Sequence, residues 1–188
     1  YNELEKNFLS NSGRLGGHPD YKAMNAVQVN SGSLGYGVSV GAGFALIAKK
    51  QNLNRKVYVL LGDGECNEGS IWESILFSSH HNLSNLIIMI DQNKLQGLGD
   101  TKSVMDMKSL KNKFESFGCD VFDINGHDFL QIDNTFQKSL NQNNNNMPKV
   151  IISSTIKGKG VKTMEGKLSS HYETLTSTRY DEVMKELS

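Results

Sequence analysis

The sequence predicts an α/β fold, a three-layer sandwich built on a mainly parallel sheet. Four short runs, Val57–Leu61, Leu86–Ile90, Val121–Ile124 and Val150–Thr155, are rich in β-branched or other apolar residues, and the first two are almost unbroken. Unbroken runs of that length suit parallel strands buried on both faces. Helix-period segments separate them, and that alternation marks a doubly wound sheet.

The elements follow in order. Asn2 to Ser10 is polar with Leu4, Phe8 and Leu9 at helical spacing, and a glycine-rich loop, Gly13–Asp20, follows. A second glycine-rich turn, Ser31 to Gly37, enters an apolar helix expected to end near Lys50. The small residues Gly41, Ala42, Gly43 and Ala45 point to close packing there. After the first strand, Ile71, Trp72, Ile75, Leu76 and Leu83 recur at helix spacing; Leu110, Phe114 and Phe117 do so later, then Leu130, Phe136 and Leu140. Asn141 to Met147, with four consecutive Asn, reads as a solvated loop, and Ser177 to Ser188 as a final helix. The 188 residues suffice for one domain with its own core, spanning 1–188.

Composition narrows the partners. Lys plus Arg and Asp plus Glu balance at 20 each, so nothing electrostatic calls for nucleic acid or an anionic membrane. No apolar run approaches the ~18 residues of a membrane span. Cys66 and Cys119 belong to no CxxC pair, which predicts free thiols in a reducing, cytoplasmic setting.

The chemistry sits in two segments, Leu60-Leu-Gly-Asp-Gly-Glu-Cys-Asn-Glu68 and Leu86-Ile-Ile-Met-Ile-Asp-Gln-Asn-Lys-Leu95. Each is a strand that ends in polar residues, and carboxyl ends of parallel strands line the ligand crevice of open sheets. Asp63 and Asn93 lie one βαβ unit apart, so their side-chain oxygens converge. Such oxygens, with a backbone carbonyl, suit Mg²⁺, which keeps phosphate or water in its remaining positions. Gly62 and Gly64 let the backbone approach an anion, and the helix starting near Glu68 directs N–H groups at it. A lone Gly-Asp-Gly would read as a turn with Asp63 as a cap; the paired strand ending in Asn makes that insufficient. The acidic spacing does not fit an EF-hand loop.

With further words in the same order, Gly16-Gly-His-Pro-Asp20, Gly32-Ser-Leu-Gly-Tyr-Gly37, Gly62 to Glu73, Asn93-Lys-Leu-Gln96, Asn125-Gly-His-Asp128 and Thr155-Ile-Lys-Gly-Lys-Gly160, the chain resembles the N-terminal, pyrophosphate-binding domain of transketolases from about Arg14 to His171. The resemblance implies a thiamine-diphosphate-binding fold. It implies that Asp63 and Asn93 hold Mg²⁺ (Ca²⁺ or Mn²⁺ as substitutes) through side chains and Leu95 through its carbonyl. Gly64 and Asn93 would meet the diphosphate, and Gly32, Ser33 and Leu34 the aminopyrimidine. Ile156 would pack on the cofactor, and Glu68 would be buried near it and the subunit contact. His18 would contact the donor sugar's hydroxyls, and His171 would lie near diphosphate and substrate, although its flanking residues depart from the family pattern. His80 and His81 read as packing or surface residues, and His127 as structural.

The family's cofactor bridges two domains, and the second supplies a glutamate that activates the aminopyrimidine. No sequence after Lys157 is long enough to encode it, and the region before Gly13 is shorter than the family's. Either the enzyme is split, with the second domain on a separate subunit, or the chain is a fragment of a longer one; the expectation is the first half of a split enzyme, inactive alone. It would transfer a two-carbon ketol unit from a ketose to an aldose in a heterotetramer, beside a C-terminal subunit with the pyrimidine-binding domain. Rival readings are a deoxyxylulose-phosphate-synthase-like or 2-oxoacid-dehydrogenase-like component, a non-catalytic relic of the fold, and a dinucleotide-binding module. The last fails because Gly35-Tyr-Gly-Val-Ser-Val-Gly41 lacks GxGxxG spacing.

Overall fold

The computed structural model describes residues 2–141 and 146–187. In chain order it has α1 (Asn2–Asn7), α2 (Tyr36–Lys50), β1 (Val57–Gly62), α3 (Gly69–His80), β2 (Leu86–Gln92), β3 (Leu95–Gln96), β4 (Gly99–Asp100), α4 (Thr101–Val104), α5 (Leu110–Ser116), β5 (Asp120–Asn125), α6 (Phe129–Asn141), β6 (Lys149–Ser154) and α7 (Ser177–Leu187). The main sheet is parallel throughout, in the order β1-β2-β6-β5. A two-stranded antiparallel hairpin, β3-β4, stands beside it. The three-layer reading holds, and the centre of the asparagine run lies outside the described residues.

One face of the sheet carries the larger core. Val38, Ala42 and Ala45 of α2, Ile71 and Ile75 of α3, and Leu110 and Phe114 of α5 pack on Val59, Leu61, Leu86, Ile88, Ile90, Val150 and Ile152. The small residues of α2 permit close approach: a Cβ on Gly41 would come within 2.5 Å of Val59. The other face is covered by α6, whose Ile132, Phe136 and Leu140 pack against Ile87, Phe122, Ile124 and Ile151.

Four expectations change in detail. β2 is buried on both faces, but β1 is an edge strand on which Tyr58 and Leu60 remain exposed, and α6 meets it only through the Phe136 ring beside Tyr58. Leu130 does not join the core; it is 77% exposed, and Ile132 takes the inward position. Leu76, on the outer side of α3, is also exposed. The first helix stops at Asn7, and Leu9 and Ser12 adopt left-handed φ of 49° and 67°, which a helix cannot continue through.

The register matters most for function. Gly62 pairs with Asp91, Gln92 with Ser154, and Asn125 with Ser154. All four strands thus end at the same edge. Backbone bonds continue the ladder one step further, from Asp63 N to Asp91 O at 3.1 Å, Thr155 N to Gln92 O at 3.1 Å and Gly126 N to Ser154 O at 2.9 Å. Asp63, Asn93, Thr155, Ile156 and His127 all follow immediately.

Candidate functional site

Asp63 leaves β1 and caps a 3-10 turn, Gly64–Asn67, by accepting a hydrogen bond from Gly64 N at 2.9 Å. Its other oxygen accepts from Lys94 N at 2.7 Å, across the gap to the end of β2. Asp63 is therefore a cap, and its second oxygen also reaches the residue next to Asn93. Asp63 is only 6% exposed. Burial pushes its pKa up; the amides of Lys94 and Gly64 oppose that, and the nearby Asp91 charge adds to it. A buried carboxylate in that position is stabilised by a cation placed against it.

Asn93 is the second arm. Its Oδ1 accepts from Leu95 N at 3.0 Å, and its Nδ2 donates to Asp91 Oδ1 at 3.4 Å. Asp91 also accepts from the Thr155 hydroxyl, which joins the ends of β2 and β6. The amide is thereby oriented from both ends, and Leu95 turns with it into the hairpin. Lys94 sits at the turn with φ of 64°.

Beside this cluster is a cradle. A Cβ on Gly64 would lie 2.6 Å from Gln96, so only glycine lets Gln96 pack directly against the turn. Gln96 Oε1 accepts from Asn67 Nδ2 at 3.2 Å, while Gln96 Nε2 and Asn67 Oδ1 are buried without a partner. Trp72 fixes the turn from behind. Its Nε1 donates to Cys66 O at 2.9 Å, and its ring packs on Phe114 and Phe117.

The remaining predicted residues sit on separate loops. Gly32 has φ of 121°, and a Cβ there would strike the His18 ring at 2.6 Å, so His18 lies directly on the Gly32–Leu34 loop. Ser33 and Leu34 are exposed. Ile156 is 44% exposed, and its N–H donates to His127 Nε2 at 2.8 Å; the histidine read as structural holds this residue in place. His171 lies edge-on to Tyr172, whose hydroxyl donates to Gly97 O at 2.6 Å, and a Gly97 Cβ would sit 3.5 Å from His171 Nε2. The C-terminal segment is thus brought to the tip of the hairpin. Glu68, which the resemblance placed near the cofactor and the subunit contact, is exposed in this structure. His80 and His81 lie at the far end of α3, edge-on to one another, with His81 against Phe77.

Several residues of the site were not singled out from the sequence: Gln96, Asn67, Thr155, Tyr172 and Glu65. Glu65 accepts from Gly35 N at 2.8 Å, across 30 residues of sequence. Only the amide hydrogen-bonding capacity of Asn67 and Gln96, both inside the ordered motifs, hinted at a role. Both cysteines are free and buried, as expected. Among the described residues no helix is long and apolar enough to cross a membrane.

The fold and site define a class: an α/β protein whose parallel sheet presents a buried carboxylate, an oriented amide and an open glycine turn at its carboxyl edge. A family model described as the transketolase thiamine diphosphate binding domain matches residues 2–187, and the chain belongs to that family. The match extends beyond the Arg14–His171 span of the motifs. Among relatives, a subunit of an apulose-4-phosphate transketolase from Phocaeicola vulgatus is 41% identical over 93% of this chain and 61% of its own length. The 6-deoxy-6-sulfo-D-fructose transketolase subunit SqwG from Clostridium sp. MSTE9 is 35% identical over 92% of this chain and 62% of its own. The chain thus spans about three fifths of these relatives. The crystal structure of transketolase from Campylobacter jejuni superposes with a TM-score of 0.89 at 30% identity, over 99% of this chain and 30% of that one.

Proposed function

We propose that this chain is a single domain that binds the diphosphate of thiamine diphosphate together with a divalent cation, Mg²⁺ with Ca²⁺ or Mn²⁺ as substitutes. In this reading it is the first half of a transketolase, transferring a two-carbon ketol unit from a ketose to an aldose. A C-terminal subunit with the pyrimidine-binding domain would complete it, in a cytoplasmic heterotetramer. The single observation that carries the reading is the bond from Lys94 N to Asp63 Oδ2, which ties Asp63, after β1, to the residue next to Asn93, after β2.

The residues present fit the group. Asp63 is a buried acid held by two backbone amides and faced by the charge of Asp91, and Asn93 offers an oriented amide oxygen. Leu95 would add its carbonyl, completing the hard-oxygen set that Mg²⁺ takes beside phosphate. Gly64 keeps the turn bare of a side chain beside Gln96, and its backbone would meet the diphosphate. Gly32, Ser33 and Leu34 would line the aminopyrimidine, with Ile156 against the ring system and Glu68 facing the subunit contact.

When bound, thiamine diphosphate supplies the carbanion-stabilising chemistry needed to break a bond beside a ketose carbonyl. This chain's part is positional. His18, on the Gly32 loop, would hold a donor hydroxyl. His171, at the hairpin tip, would hold or move a proton near the diphosphate end. The names of the two relatives, subunits of transketolases for a phosphorylated sugar and a sulfo-sugar, support sugar substrates and a second subunit. Two free thiols suit a reducing compartment.

The test is a calorimetric titration. Thiamine diphosphate should bind only with Mg²⁺ or a similar ion present, and Asp63→Ala should abolish binding. Ketol transfer should appear only when the second subunit is added. Metal-independent binding, preference for a nicotinamide dinucleotide, or full turnover by the chain alone would overturn the reading.

A further inference from the structure

We propose that Glu65 is a positioning residue that couples the two ends of the cofactor site; this rests on the thiamine diphosphate reading. Glu65 lies in the 3-10 turn next to Asp63 and Gly64, and it is half-buried. Its two carboxylate oxygens are used separately. Oε1 accepts from Gly35 N at 2.8 Å, and Oε2 accepts from Gly62 N at 3.3 Å. Gly35 directly follows the Gly32–Leu34 loop, and Gly62 ends β1 directly before Asp63. One side chain therefore spans from the loop expected to line the aminopyrimidine to the strand end expected to hold the metal and diphosphate.

Gly35 is gripped on every side. Its carbonyl accepts from Ser70 Oγ at 3.1 Å. It is buried, with φ of 86°, and a Cβ there would meet Ser70 Oγ at 2.5 Å and Glu68 Cβ at 2.7 Å. The loop thus docks on the turn and the start of α3 through one backbone residue. Glu65 supplies the acceptor that this residue's N–H needs inside the protein. The chemistry explains why a carboxylate is used. Two N–H donors from different segments need two acceptor oxygens at the reach of one side chain. A glutamine offers one, and would turn its own N–H₂ toward the second donor. Aspartate is one methylene shorter.

The consequence is a fixed spacing between two subsites. A ligand that fills both gains from their being held at the right separation before it arrives; a ligand that fills only one does not. Glu65 therefore acts on the linked cofactor more than on either half.

The experiment uses the full chain, with wild type, Glu65→Ala and Glu65→Gln titrated calorimetrically against two probes: thiamine diphosphate with Mg²⁺, and inorganic pyrophosphate with Mg²⁺. Glu65→Ala should weaken thiamine diphosphate by about 10- to 100-fold through lost preorganisation, while pyrophosphate changes by less than about threefold. Glu65→Gln, close to isosteric, should fall between and keeps the test valid if the alanine variant fails to fold. Equal losses for both probes, or no loss for thiamine diphosphate, would overturn the coupling role. Wild type that binds pyrophosphate but not thiamine diphosphate would overturn the cofactor reading and this inference together. Wild type that binds both, with variants unaffected, overturns this inference alone.

Discussion

Replacing Gly64 with alanine isolates the cradle. The added methyl would lie 2.6 Å from both Cβ and Oε1 of Gln96, well inside van der Waals contact. Gln96 has little freedom to withdraw, because its oxygen is bonded to Asn67 and its nitrogen is already buried. Overpacking of this kind costs about 1–3 kcal/mol. At about 2–4 °C per kcal/mol for a chain of this size, a central cost of about 2 kcal/mol lowers the melting temperature by about 4–8 °C. Relieving the clash must shift Gln96 or the turn that would meet the diphosphate, so Mg²⁺-dependent affinity for thiamine diphosphate should fall at least about tenfold, or ~1.4 kcal/mol. Gly69→Ala is the internal control. A Cβ at Gly69 has nothing within 4 Å, and the residue opens α3, where alanine is favoured by about 0.4–1 kcal/mol. Thermal unfolding by circular dichroism, with and without ligand, reads all of this. If Gly64→Ala melts and binds like wild type, or Gly69→Ala loses as much stability as Gly64→Ala, the cradle is wrong.

Two other outcomes are expected. Burial first, then neighbouring carboxylates, pushes the thiols of Cys66 and Cys119 from the ordinary 9.0 up to about 12. The folded chain therefore keeps protons that the unfolded chain releases, so this stability is full below about pH 9 and is lost as pH rises toward about 12. Urea melts across that range should show a falling midpoint, and both thiols should resist alkylation at about pH 8 until the chain unfolds; rapid labelling of the native protein would contradict it. His127→Phe removes the acceptor for Ile156 N–H; that contact is exposed, so stability should drop by about 1 kcal/mol or less. Thiamine diphosphate affinity should nevertheless fall, and His127→Gln, which restores an acceptor oxygen, should recover it; unchanged affinity in the phenylalanine variant would show that Ile156 needs no such hold.

How much of this was readable in the residues depended on the range of each interaction. Val57–Leu61 and Leu86–Ile90 announced strands because burial of consecutive side chains leaves an unbroken apolar run. Asp63 and Asn93 were legible because strand ends converge whatever the details of the loops. The hairpin at Leu95–Asp100 escaped notice, since two-residue strands have no periodicity to detect. The bareness of β1 escaped as well: Tyr58 and Leu60 look like core residues, and only the position of α6 decides otherwise. Glu65 was invisible for a different cause. Its partner is a backbone N–H 30 positions away, and nothing local in Gly-Asp-Gly-Glu distinguishes it from a solvated turn acid.

The link between the two strand ends runs through the peptide group of Lys94, not its side chain. Substitution at this position therefore leaves the link standing across most of the amino-acid alphabet. A φ of 64° makes glycine or asparagine more comfortable there than lysine. Proline alone, with no amide hydrogen to give and a ring fixed at negative φ, would cut it. The most consequential contact of the site is thus written in chain geometry, where a comparison of residue identities has nothing to read.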